Sequence, residues 1–174
     1  KRQLFFDMLP ITIDGAAGPR VRLKLFAVPG QVMHDATRRL VLQAADGVAF
    51  IADSQRSEAG ANRESFLNLK RNLEDNGLDP KRMPIIIQFN KRDLNDVRSD
   101  EELESMARQS REAIYRAVAT RGFGVMQTLI GLIGETWTRL EDEHGLHEKF
   151  GIDPVRFMQE VEANLRYKPG SGAR

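Results

Sequence analysis

The chain has 174 residues, enough for one domain with a sizeable core. Apolar residues make up 41% and charged residues 29%, and a formal net charge of +1 with no long block of one sign argues against a nucleic-acid-binding footprint. Cysteine is absent, which excludes disulfides and thiolate chemistry; no apolar run reaches bilayer length and no signal peptide is visible, so the expectation is a cytoplasmic protein without an integral membrane segment.

The first predicted element runs from Arg2 to Ile13, a strand rich in Leu4, Phe5, Phe6, Met8, Leu9 and Ile11 that leads into a turn at Asp14 to Pro19. Val21 to Val28 alternates early, with Val21, Leu23 and Leu25 against Arg22 and Lys24. It reads as a half-buried strand paired to the first as a hairpin. Pro29-Gly30 breaks it from a helix over Gln31 to Gln43. Gly47 to Ala52 is a short continuous apolar run, as expected of a strand covered on both faces. Glu58 to Asn76 is a helix with Phe66, Leu69 and Leu73 at helical spacing, closed by Gly77. Pro84 to Phe89 is a second buried strand, Asp100 to Gln109 a polar helix, and Ala113 to Ala119 a last strand. Val125 to Glu143 is a long helix with Val125, Leu129, Leu132, Ile133, Trp137 and Leu140 inward.

Strands alternating with helices predict an α/β fold, a mostly parallel central sheet flanked by helices in three layers. Beyond Glu143 the pattern changes. Asp153-Pro154 has the form of an N-cap followed by Pro at the first helical position, and Val155, Met158, Val161 and Leu165 then share one side of an amphipathic helix. Phe157 broadens that face, which should dock on protein rather than lipid. The tail from Lys168 is Gly/Ser-rich and reads as a flexible segment. Glu143-His144 and His147-Glu148 read as solvated surface rather than a metal site.

Two motifs carry chemistry, each directly after a predicted strand. Asn90-Lys91-Arg92-Asp93 follows Pro84 to Phe89. Ligands of open α/β sheets bind beyond the carboxyl ends of the strands. A carboxylate such as Asp93 can accept two hydrogen bonds from guanine, at N1–H and the exocyclic amino group, where adenine offers neither in that arrangement. The Lys91 stem can lie along the purine face, and Asn90 can tie the loop to its neighbours. The plainer alternative is a polar loop with an Asx turn. The second motif is Val28-Pro29-Gly30-Gln31. Gly30 permits close approach of a backbone N–H to a phosphate, and Gln31 stands where an amide can orient an attacking water. Its alternative is a plain strand-to-helix turn. About 60 residues separate the motifs, with a strand, a helix and a strand between them. Ala117-Val118-Ala119-Thr120 ends the next strand and is also ordinary core; by resemblance to small GTPases, Ala119 would present its backbone N–H to guanine O6.

Together with Leu4-Phe5-Phe6-Asp7, Gly47-Val48, Ala52-Asp53-Ser54 and Gln88 to Leu94, these stretches resemble the MglA family of bacterial Ras-superfamily GTPases, which serve cell polarity and gliding motility. The resemblance covers roughly residues 1 to 139 and implies a P-loop NTPase fold of the small G-protein type. It implies GTP or GDP with Mg²⁺ as ligands, hydrolysis of GTP, a roadblock-domain activating partner of the MglB-like kind, and motility or polarity effectors. By the same resemblance Arg2 is an arginine finger supplied in cis, and Asp7 reaches Mg²⁺ through water. Asn90, Lys91, Asp93 and Ala119 would read guanine, Gly30 would touch phosphate, and Gln31 would position water. Two positions depart from the pattern: Gln3 stands where a Mg²⁺-contacting Thr is expected, and Ala27 where Ras-type enzymes have Asp.

No G-x-x-x-x-G-K-[ST] occurs in these residues. The expectation is a small GTPase domain over 1–143 whose first strand, phosphate loop and first helix precede the sequence, with a C-terminal extension over 144–174. A non-catalytic interaction module that keeps the fold without turnover is the alternative function.

Overall fold

The computed structural model describes residues 8–13, 21–28, 35–151 and 153–166. The predicted turn at 14–19, the strand residues before Met8, the first residues of the helix predicted from Gln31, and the tail from Lys168 lie outside the described residues. The chain forms two compact units, one of residues 1–29 with 137–174 and one of residues 30–136.

In the first unit, β1 (Met8–Ile13) pairs antiparallel with β2 (Val21–Phe26), from Met8 opposite Phe26 to Ile13 opposite Val21. The alternation read in the sequence is kept: Val21, Leu23 and Leu25 are half-buried, while Arg22 and Lys24 are exposed. The last helix, Pro154–Arg166, starts where the Asp153 carboxylate accepts the Arg156 N–H at 2.8 Å, the local bond expected of an N-cap. Phe157 and Val161, one turn apart, are its buried residues, and the Phe157 ring stacks on Trp137 with centroids 4.0 Å apart and planes 25° apart. The face is therefore centred differently from the sequence expectation. Val155 is 66% exposed, because it precedes Phe157 by two residues and so lies roughly 200° around the helix from it. The short helix Leu146–Phe150 was not anticipated; glycines in the left-handed region at both ends, Gly145 and Gly151, bound it.

In the second unit, three parallel strands lie in the order β3 (Val48–Asp53), β4 (Ile85–Asn90), β5 (Ala113–Arg116). Helices α1 (Asp35–Leu42), α2 (Ala59–Asp75) and α3 (Asp100–Gln109) accompany them, as does α4 (Val125–His144) up to residue 136. Numbered on, Leu146–Phe150 is α5 and Pro154–Arg166 is α6.

β4 is central and buried from Ile85 to Phe89, as a strand covered on both faces should be. β3 departs from that expectation: Ile51 is 52% exposed, because β3 is an edge of the sheet among the described strands. One core cluster joins Leu42, Leu69, Leu73, Met83 and Ile85, and a second joins Ala52, Ile87, Phe89 and Leu103. Phe50 and Phe66 pack against both and meet edge to face at 5.1 Å. Gly47 allows α4 its close approach, since a Cβ there would stand 2.2 Å from Thr136 Oγ1. On α4 Ile133 and Trp137 are buried as predicted, whereas Val125 at the helix start is 40% exposed.

Helix α3 begins with a capping box: Ser99 Oγ accepts the Glu102 N–H at 3.2 Å, and Glu102 Oε2 accepts the Ser99 N–H at 2.6 Å. Ser99→Ala is expected to lower stability by about 1 kcal/mol, read as a shifted midpoint in urea unfolding with an unchanged slope.

Candidate functional site

The parallel register sets Asp53 beside Asn90 and Phe89 beside Arg116, so β3, β4 and β5 end at one edge of their sheet. That carboxyl edge is where an open α/β sheet receives a ligand. The connections leaving it carry the residues singled out from the sequence.

Asn90 ties this edge together. Its Oδ1 accepts the Lys91 N–H at 2.8 Å and the Ala119 N–H at 2.9 Å. Its carbonyl accepts the Ser54 N–H at 2.9 Å, which joins β3 to the same point. The Ala119 N–H, assigned by resemblance to guanine O6, is thus engaged by Asn90 here. Ala119 itself sits in a tight turn: strand β5 ends at Arg116 rather than at Ala119, and a 3-10 turn spans Ala119–Arg121. The return from that turn requires glycine at 124, with φ +75°, where a Cβ would stand 1.9 Å from the Arg116 carbonyl oxygen.

Lys91 holds a left-handed backbone, φ 62°, uncommon for a side-chain-bearing residue. Its Nζ donates to Asp53 Oδ2 at 2.6 Å. Burial alone would raise the Asp53 carboxyl. The Lys91 ammonium and the Gln55 N–H outweigh it and hold the group below its ordinary value. The hydrogen bond to Asp53 and its charge hold the Lys91 ammonium above its own ordinary value. A lowered carboxyl favours the pair above the usual carboxylate range and releases it as pH falls through that range. A raised ammonium keeps the pair until pH climbs past the usual lysine range. The contact therefore stands across neutral pH.

Asp93 is accessible, its side chain 28% exposed, and a largely solvated Arg121 guanidinium lies 3.9 Å from Oδ2. An exposed pair at that distance is worth little, so Asp93 can exchange it for donors on a ligand.

The loop that bears these residues is braced by contacts the sequence did not disclose. The Arg92 guanidinium donates to the Arg98 carbonyl and, at 2.8 Å, to Asp100. Its backbone N–H donates to the Ala117 carbonyl at 3.1 Å, and the Arg98 N–H donates to the Ser54 carbonyl at 2.9 Å. Arg56 grips both carboxylate oxygens of Glu102 at 2.8 and 2.6 Å, a two-point fork that fixes orientation as well as charge. The only signal for this brace in the sequence was the density of Arg and acid between Arg92 and Glu104.

Arg2, Asp7, Gly30 and Gln31 lie outside the described residues. The structure thus brings together Asn90, Lys91, Asp93 and Ala119, adds Asp53 to them, and leaves the four phosphate-side residues aside. Among the described residues there is no group of three or more His, Asp or Glu side chains that could hold a metal ion, and no helix long and apolar enough to cross a membrane.

No family model matches the chain. A curated relative does: it is 44% identical over 128 residues to the mutual gliding-motility protein MglA of Myxococcus xanthus strain DK1622. The match takes in 74% of this chain and 66% of that protein, so the chain spans just under two thirds of the relative's length.

Proposed function

This chain belongs to the MglA-like proteins, and on that premise we propose that it binds guanine nucleotide and hydrolyses GTP to GDP as a molecular switch in gliding motility or cell polarity. The observation that carries the proposal is the Asn90 to Asp93 loop at the carboxyl edge of the sheet, with the Asp93 carboxylate accessible. Asp93 accepts the guanine N1–H and amino hydrogens. The apolar stem of Lys91 gives the purine a face to lie on. Asn90 keeps the turn bearing Ala119 in register with the loop. The base-side residues fit guanine by this chemistry.

On the phosphate side, Gly30 gives close backbone approach, Gln31 orients the attacking water, and Arg2 meets the charge that develops in the transition state. Mg²⁺ would neutralise phosphate charge when bound, and Asp7 is the residue that would hold it by the family resemblance. A roadblock-domain activating partner and motility or polarity effectors complete the proposal, and the cytoplasm is the compartment in which they would meet. The relative, a mutual gliding-motility protein, supports the motility part.

Gln3, at the position expected for a Mg²⁺-contacting Thr, favours a second reading: an interaction module that keeps the fold and has lost turnover. One experiment separates the two, on the protein translated from the complete gene. Gln31→Leu should slow single-turnover GTP hydrolysis at least about tenfold while GTP affinity stays nearly unchanged, since the residue acts on water rather than on bound nucleotide. Absence of hydrolysis above the uncatalysed rate in the parent protein, with guanine binding intact, favours the module. An equal fall in affinity and rate makes Gln31 a structural residue.

A further inference from the structure

Asp53 has no assigned role, yet almost every polar atom it owns is fixed. Its N–H donates to Asn62 Oδ1 at 3.1 Å, and its carbonyl accepts from Asn62 Nδ2 at 2.8 Å. Both halves of its peptide frame are thereby locked to one side chain of α2. Its Oδ1 accepts the Gln55 N–H at 3.0 Å. What remains is Oδ2, which faces Lys91 Nζ at 2.6 Å. The two partners differ in freedom: the Asp53 side chain is 16% exposed and the Lys91 side chain 55%. The carboxylate is the fixed post and the lysine is the tether.

We infer that Asp53 is a positioning residue for base binding: it holds the Lys91 side chain across the ends of β3 and β4, so that the lysine stem stands ready as a wall of the guanine slot. The inference rests on the guanine-binding reading above. Its geometry follows from the fold. Asp53 and Asn90 are partners in the β3–β4 register, and Lys91 is the next residue, turned by its left-handed backbone. A stem anchored at both ends must run along the carboxyl edge.

The other charges near by do not compete for the ammonium. Asp96 and Glu102 are engaged by Arg56. Glu58 adds only a favourable field at Lys91. A lysine free in solvent samples many rotamers and must lose that freedom when a base packs on it. Asp53 removes this loss from the binding step in advance, which is the general route by which preorganisation raises affinity.

The test is a double-mutant cycle on the complete protein, read by equilibrium titration of a fluorescent GDP. Asp53→Asn keeps the size of the residue and an oxygen for the Gln55 N–H but loses the charge that holds Lys91. Lys91→Met keeps an apolar stem and loses the ammonium. Asp53→Asn is expected to weaken GDP binding roughly tenfold in the parent, and to change it little further in the Lys91→Met background. Any fall in thermal midpoint should also shrink in the Lys91→Met background, where the ion pair is already absent. An equal loss in both backgrounds overturns the inference, because Asp53 would then act through the fold rather than through Lys91. Unchanged or tighter binding by Asp53→Asn also overturns it, since the ion pair would then be idle or would hold the lysine away from the base. If the parent shows no preference for guanine over adenine nucleotide, the reading beneath falls first, and this measurement tells the two failures apart.

Discussion

Phe157→Ala is expected to destabilise the protein by about 3–5 kcal/mol, the range found when a buried aromatic is cut to alanine and its cavity does not close. Phe157 is only 2% exposed and stacks on Trp137, itself 6% exposed, while Val161 one turn further on is fully buried. Removing the ring leaves Trp137 without its stacking partner and leaves Val161 as the remaining fully buried side chain of α6 among the described residues. An isolated 13-residue helix is marginal in water, so α6 depends on that face. The thermal midpoint should fall by roughly 6–20 °C for a protein of this size. Val155→Ala is the control: Val155 lies on the same helix but is 66% exposed, so its removal should move the midpoint little. Circular dichroism melts of the two variants measure the contrast. Equal shifts would mean that the helix buries a different face. Nucleotide affinity should survive Phe157→Ala at temperatures where the protein stays folded, because the base-reading residues belong to the other compact unit.

What the sequence could disclose follows from how local each signal is. Strand β4 was legible because five consecutive apolar or tolerated residues, Ile85 to Phe89, have only one compact use in an α/β chain. Helix α3 was legible to its ends, Asp100 and Gln109, where polar helical spacing follows Ser99. The exposure of Ile51 was not legible: it depends on which strand has a neighbour, and an apolar run reads alike at the centre and at the edge of a sheet. The face of α6 was displaced because several apolar residues compete for it, and only the position of Trp137 decides in favour of Phe157. Helix α5 has five residues, too few to show a period.

The candidate site divides along the same line. Asn90, Lys91, Asp93 and Ala119 are carried on short motifs after strands, and the register brings them together. The Asp53–Lys91 pair joins residues 38 apart in sequence, and no periodicity encodes such a contact. The Arg56–Glu102 fork spans 46 residues and was equally silent. Arg2, Asp7, Gly30 and Gln31 remain proposals that rest on the resemblance and on the chemistry of their residue types.

The central claim is that Asp93 reads guanine, and a base exchange tests it most directly. Guanine presents two donors to this carboxylate, N1–H and the amino group at C2. Xanthine keeps N1–H but carries a carbonyl at C2, which faces a carboxylate as acceptor against acceptor. Asp93→Asn reverses the match: the amide oxygen still accepts from N1–H, while the amide nitrogen can donate to the C2 carbonyl of xanthine and clashes with the amino group of guanine. Loss of a charge-assisted pair of this kind should weaken GDP binding by about 2–3 kcal/mol, roughly 30- to 150-fold. Equilibrium titration of the complete protein with GDP and with xanthosine diphosphate, for the parent and for Asp93→Asn, gives four affinities. A crossover is expected, with the parent preferring GDP and the variant preferring xanthosine diphosphate. Equal GDP affinity in parent and variant, with no gain for xanthosine diphosphate, would contradict it.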